Sequence, residues 1–360
     1  MGPSGGDLRG NMKERKKEGL PVAWYPVMAA VLVAAGVLCL GVGSHYIAPR
    51  DTVWILWDAI RGIPAADGTM QTNATIILTL RLPRVLCAGL IGAALSLCGA
   101  AMQGLLRNPL ADGSTLGIST GAALGAALSI VLGITIPGLP IAGSAVMAIL
   151  FSFGSLVLIL ALAWGIDRSF STHNIILIGV IFTMLVSSLL SILITFSGEK
   201  LRSITYWTMG SLVGKSYEQA AFLLGALVLF GTPLLLCSRE LNAFAVGEEN
   251  ALHIGVPVRR IKLTVMICAS ALIGVCVSIC GSVAFVGLII PHMVRLVSGP
   301  NHRKLLPLSV FAGALFLMLA DLVSRIILSP LELPIGVVTS LIGAFTFIVI
   351  FYRNRKGGVR

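Results

Sequence analysis

Ten long apolar stretches run through this chain between residues 25 and 352, and they constrain its fold more than any other feature. They cover residues 25–47, 76–104, 114–133, 140–165, 174–197, 218–237, 262–280, 282–297, 306–325 and 334–352. About 20 mainly apolar residues suffice to carry a helix across roughly 30 Å of hydrocarbon. Inside lipid every backbone polar group must find its partner within the protein, which leaves the helix as the spanning unit for stretches of this length. Composition agrees: of 360 residues, 56% are hydrophobic and 11% charged, against about a quarter charged in soluble domains. The same figures exclude a disordered chain, and seven cysteines are too few for a disulfide scaffold of this size. Forty glycines suit helices that approach one another closely in lipid. The expected fold is an all-α polytopic membrane protein of about ten transmembrane helices. Basic tails over residues 1–24 and 353–360 flank a ten-helix transmembrane domain over 25–352.

The run from Leu263 to Val297 decides the count. As one helix its 35 residues would extend about 52 Å at 1.5 Å per residue, far beyond the bilayer. Two spans hinged near Gly281 and Ser282 fit better, and Pro291 implies that the second is bent or short. Ten spans put both termini on one side. With that side cytoplasmic, the outer face holds only eight of the 26 Lys and Arg residues: Arg50, Arg61, Arg81, Arg84, Lys200, Arg202, Lys215 and Arg325. The remaining eighteen lie inside, as the positive-inside rule requires. The net charge of +11 is therefore an orientation signal, and no nucleic-acid partner is expected. The apolar stretch after Lys13–Lys17 is longer than a signal-peptide core and lacks a small-x-small cleavage site, so it is expected to be a retained first helix.

Several motifs look catalytic and are better read otherwise. Gly210-Ser-Leu-Val-Gly214-Lys215-Ser216 has three residues between its glycines where a phosphate-binding loop needs four, and no strand precedes it. Gly117-Ile-Ser119-Thr-Gly121 matches a nucleophile elbow but opens a membrane helix rather than a strand-to-helix turn. Gly117, Gly121 and Gly125 are read as small-xxx-small steps for close helix packing. The cysteines, Cys276 and Cys280 among them, lie in apolar runs and are read as small hydrophobes. No Cys/His spacing suggests a metal site. Asp321 lies within a span, where an ionisable residue is a functional hypothesis by default. Arg325 stands four residues on, so the pair is read either as self-neutralising or as part of an ion relay.

These residues lead to a resemblance. Arg81-Leu-Pro-Arg84 opens the second span, which closes on Gln103-Gly-Leu-Leu-Arg-Asn108-Pro109-Leu110-Ala-Asp112; Trp207-Thr-Met-Gly-Ser-Leu follows, then Leu241-Asn with Gly247-Glu248-Glu249 and Leu252-His-Ile-Gly255-Val. The last third carries Phe285-Val-Gly-Leu-Ile-Ile-Pro291-His292, Ala320-Asp321 to Arg325, and Glu332-Leu-Pro334-Ile-Gly336-Val. In this order the motifs resemble the FecCD-type permease subunits of ABC importers for iron chelates, haem and cobalamin, over about residues 76–350.

The resemblance implies a homodimer in the bacterial cytoplasmic (inner) membrane. It also implies two cytoplasmic ATPase subunits, which use ATP and Mg, and an external substrate-binding protein. The chain itself has no phosphate-binding loop, so it is expected to bind no cofactor and to have no catalytic residues of its own. Carried over residue by residue, the cytoplasmic coupling segment falls at 241–256, with Leu241, Gly247, Glu248, Glu249 and Gly255. Contacts to the binding protein fall on Arg81, Arg84 and Arg325, where bidentate bridges to partner carboxylates are expected. Gate positions fall on Asn108, Leu110, Thr172 and His173. One departure is Gly343-Ala344-Phe345-Thr346-Phe347, where the family usually has a proline, which leaves the bend of the last span open. The rival expectation is an ion-coupled secondary transporter centred on Asp321.

Overall fold

A computed structural model of the chain describes residues 21, 24–64, 68–113, 116–135, 142–166 and 171–357. Most of the basic N-terminal tail and the last three residues lie outside these. The described residues form helices and connections, with no strands. In chain order the helices are α1 (Trp24–Gly41), α2 (Pro49–Arg61), α3 (Thr69–Leu106), α4 (Ile118–Leu132), α5 (Ala142–Ile166), α6 (Thr172–Thr195) and α7 (Leu201–Met209). Then come α8 (Tyr217–Leu236), α9 (Ser238–Phe244), α10 (Glu248–His253), α11 (Val258–Cys280), α12 (Val286–Ser298), α13 (His302–Ile326) and α14 (Ile335–Gly357). Seven are long and apolar enough to cross a membrane, and the shorter apolar helices α4, α12 and Ile335–Ile350 of α14 fall where the remaining spans are expected.

Most expected spans agree with a helix to within a few residues, and the exceptions have physical causes. α3 begins seven residues before the expected 76 because Thr69–Thr75 is polar and helical. Pro83 has no N–H to give, and ahead of it the helix widens into a π-type turn over Ile76–Arg81. The same pairing recurs in α8, where a π-type turn over Leu227–Gly231 precedes Pro233. The expected hinge is present: α11 ends at Cys280, and α12 starts at Val286 and contains Pro291. α14 runs unbroken through Phe345 and Thr346, so the missing proline leaves a continuous helix there.

The core is built around α3, in which every residue from Ile91 to Leu106 is buried. Glycine makes this possible. A methyl group on Gly92 would overlap the Gly313 carbonyl of α13, and one on Gly99 would overlap the Gly287 carbonyl of α12. In lipid, where apolar side chains gain little by leaving their solvent, such close backbone approach is a main source of helix association. The expected small-residue steps behave alike: a Cβ on Gly121 or Gly125 would collide with α5, and one on Gly117 with Phe182 of α6. By contrast α5, α6 and α8 leave Leu150, Phe153, Val157, Met184, Leu185, Val228 and Leu229 exposed.

Two helices are too short to span. α4 has 15 residues and α12 has 13, or about 22 and 20 Å at 1.5 Å per residue. Irregular residues 107–113 and 281–285 precede them, and together they wall a cavity of about 50 Å³ that Asp112, Ser119, Ser282 and Phe285 line. Irregular backbone at this depth is tolerated where protein surrounds it. Ser119 of the elbow-like motif lies here, and no histidine lines the cavity, so the packing role of this glycine run stands.

Candidate functional site

The expected site residues collect at the two ends of the bundle. At the end that the charge bias puts outside, α1 stops at Gly41 and leaves its last carbonyls without intrahelical partners. Two guanidiniums supply them. Arg81 Nη1 donates to Leu40 O at 2.6 Å and to Gly41 O at 3.2 Å, and Nη2 donates to His45 O. Arg325 Nη2 donates to Cys39 O at 3.0 Å and Nη1 to Val42 O at 3.4 Å. Positive charge at a helix C-terminus also complements the helix dipole.

Arg84 occupies the centre of the cluster. Its Nε and Nη2 each lie 2.9 Å from Asp321 Oδ1, and Nη1 lies 2.8 Å from Glu332 Oε2. Asp321 Oδ2 in turn lies 3.2 Å from Arg325 Nε. The expected Asp321–Arg325 pair is therefore present, with Arg84 as a second partner that sequence reasoning missed, 237 residues away. Glu332, which bridges to Arg84, is the fourth member of the cluster. Asp321 is 1% exposed and held between two guanidiniums, an arrangement that suits a structural anchor and gives an ion relay no free carboxylate. The three arginines are buried, with their donors committed to the fold. They line one wall of a cavity of about 590 Å³, together with His45, Lys215 and Glu332.

Lys215, in the loop that resembles a phosphate-binding motif, donates from Nζ to Ile279 O at 2.6 Å. Burial lowers the pKa of its ammonium. Ser216 beside it caps α8 through a reciprocal capping box with Gln219. This loop thus serves α8 and α11.

At the opposite end, α9 and α10 form the expected coupling segment. Leu241 is fully buried and anchors it. Gly247 adopts φ +123° at the N-cap of α10 and Gly255 φ +86° just beyond its end, conformations that glycine adopts readily. The two neighbouring glutamates part company. Glu248 turns inward: its Oε1 meets Lys262 Nζ of α11 at 2.5 Å, and its Oε2 accepts from Thr172 Oγ1 of α6 at 3.4 Å. Glu249 is exposed, and so are Val246, Leu252 and Ile254 around it. Among the expected gate residues, Thr172 is thus tied to the coupling segment. His173 beside it is exposed. Asn108 Oδ1 accepts from the backbone N–H of Leu110 at 2.9 Å, which fixes the turn after α3. No hydrogen bond joins Asn108 to Thr172 or His173 among the described residues. Sequence reasoning missed Lys262, which lies in an apolar helix and signals nothing by spacing, and Asn242, whose Oδ1 accepts from the His302 backbone N–H at 2.8 Å and so links α9 to α13.

A profile of the FecCD transport family matches residues 31–353. The chain belongs to the FecCD transport family. Among its relatives is the ABC transporter permease protein YvrB of Bacillus subtilis, 39% identical over 91% of this chain and 92% of the other. The molybdate import system permease protein MolB of Haemophilus influenzae is 35% identical over 92% and 96%. The vitamin B12 import system permease protein BtuC of Citrobacter koseri is 35% identical over 93% and 95%. A solved inward-facing transporter, described as of the metal-chelate ABC type, superposes with a TM-score of 0.79 at 34% identity, covering 91% of this chain and 97% of that one. The FecCD chain described here is accordingly a multi-pass permease subunit of an ABC importer, and the ATPase is not this polypeptide.

Proposed function

We propose that this permease passes a bulky metal chelate into the cytoplasm across the bacterial inner membrane, with an iron–siderophore as the leading cargo and haem or cobalamin as the others of that class. It works as a homodimer that receives cargo from an external binding protein and is driven by two ATPase subunits on the cytoplasmic face. ATP binding and hydrolysis there, with Mg, rock the dimer between outward-open and inward-open states. This chain contributes no cofactor and no catalytic group.

The observation that carries the reading is the end-to-end likeness to permeases whose names specify cobalamin, together with a transporter described as of metal-chelate type. The geometry supports it at both faces. Outside, a basin walled by Arg81, Arg84 and Arg325 offers positive potential to an acidic partner surface. Inside, α10 presents Glu249 with Val246, Leu252 and Ile254 exposed around it, a mixed apolar and acidic face suited to another protein. Glu248 connects that face to the first turn of α6, where Thr172 and His173 gate the inner end with Asn108 and Leu110. A second reading, molybdate as cargo, is favoured by the 35% identity to MolB. Reconstitution with the ATPase and binding protein, followed by uptake of ferric siderophore, haem, cobalamin and molybdate, separates the two. Uptake of one of the three chelates supports the proposal, and uptake of molybdate alone replaces it by the second reading.

A further inference from the structure

A second large cavity, of about 570 Å³, lies between the first turns of α5 and α8 and the last turn of α11, and it shares Lys215 with the cavity that the three arginines line. Its walls are mainly apolar, with Val146, Ile149, Trp207 and Phe222. Two charged side chains break that surface, Lys215 and Glu218. An ammonium carries three donors, and Lys215 uses one, on Ile279 O. Glu218 is exposed, and among the described residues neither side chain forms an ion pair. The cavity is therefore a greasy recess with an unneutralised cation and an unneutralised anion on its wall, three residues apart in the chain.

Two of its lining residues, Val146 and Phe222, are exposed on the outside of the bundle. Val146 continues along α5 into exposed Leu150, Phe153 and Val157, at helical steps of four, seven and eleven. Farther along α8, beyond Phe222, Leu229 and Leu236 are exposed as well. A ligand with a charged head in the recess would find two apolar stripes for its tail. The recess lies at the outer ends of these helices, the depth of phospholipid headgroups.

We propose that this recess binds a phospholipid of the outer leaflet, its phosphate on Lys215, its primary ammonium on Glu218 and an acyl chain along the α5 and α8 stripes. A phosphate accepts the spare Lys215 donors, and an aminoethyl headgroup reaches the carboxylate, so phosphatidylethanolamine fits better than phosphatidylcholine, whose quaternary nitrogen has no proton to give. None of the three arginines lines this recess, which meets their cavity only at Lys215.

Trp207 in the wall provides the readout. The full chain is reconstituted in vesicles containing phosphatidylethanolamine brominated high on one acyl chain, and the Trp207 signal is taken as the difference between wild type and Trp207→Phe. Quenching of Trp207 is expected at lower mole fractions of the brominated lipid than quenching of the other four tryptophans, Trp24, Trp54, Trp57 and Trp164. Lys215→Met should weaken that preference about fivefold, the scale of one basic contact to a lipid headgroup, and Lys215→Arg should retain it. Glu218→Gln should remove the preference for brominated phosphatidylethanolamine over brominated phosphatidylcholine. Three results would overturn the proposal: quenching of Trp207 only in proportion to the bulk lipid, quenching by aqueous iodide instead of brominated lipid, or relief of quenching by free glycerol phosphate. If Lys215→Met does not fold, unchanged preference in Glu218→Gln still counts against it.

Discussion

Asp321→Asn removes one charge from the outer cluster with almost no change in shape, and its cost follows from what remains. Asp321 is 1% exposed and contacts two guanidiniums, at 2.9 Å and 3.2 Å. Without it Arg325 keeps only backbone carbonyls and Arg84 keeps only Glu332, so one buried positive charge loses its counter-ion. Removing one partner of a buried pair typically costs about 3–5 kcal/mol, most of it from the stranded charge. Glu332→Gln provides the internal control. Its side chain is 32% exposed, so water can replace part of what Arg84 loses, and the expected cost is about 1 kcal/mol. Both variants can be measured by equilibrium unfolding in mixed micelles of SDS and mild detergent, followed by far-ultraviolet circular dichroism. Adding Arg84→Met to Asp321→Asn should recover part of the loss, because the stranded charge is then gone. Equal effects of Asp321→Asn and Glu332→Gln, or a loss below about 1 kcal/mol for the first, would refute the picture of a buried, mutually dependent cluster.

Further outcomes follow from the same contacts. Glu249→Lys should weaken ATPase docking while leaving the fold intact, whereas Glu248→Gln should leave docking intact and reduce transport per ATP hydrolysed, because it frees Lys262 and Thr172; binding and coupling ratios measured on the reconstituted complex check this. Arg84→Glu alone should fail to fold, since it would place three carboxylates together. The swap Arg84→Asp with Asp321→Arg should fold, and loss of binding-protein affinity in that swap is the fair test of the docking role. Gly99→Ala should destabilise by about 1–3 kcal/mol through overpacking against Gly287, measurable in the same unfolding assay. All seven cysteines are free and buried, so an aqueous maleimide should label none of them until the protein is denatured.

Much of the fold could be read from the sequence because lipid imposes one simple demand, an uninterrupted apolar helix of fixed length. That demand located the spans and the break after Cys280. It could not locate α2, α7 or the polar first turns of α3, which answer to water or to other helices instead. Arg81, Arg84 and Arg325 were conspicuous as basic residues on the outer side. Their partners were not, since Glu332 lies 248 residues from Arg84 and the α1 carbonyls carry no sequence signal at all. The structure gives these arginines a job in holding α1, α3 and α13 together, and any docking role must be exercised on top of it. Glu248 and Glu249 looked equivalent in sequence, and only the turn at Gly247 decides that one faces Lys262 and the other faces outward.

ATP dependence of uptake tests the central claim most directly. Vesicles containing this chain with its ATPase and binding protein should accumulate a metal chelate only when ATP is present on the ATPase side, and vesicles containing the chain alone should accumulate none under any ion gradient. Gradient-driven uptake by the chain alone, without ATP, would contradict the account and return Asp321 to the centre of the mechanism.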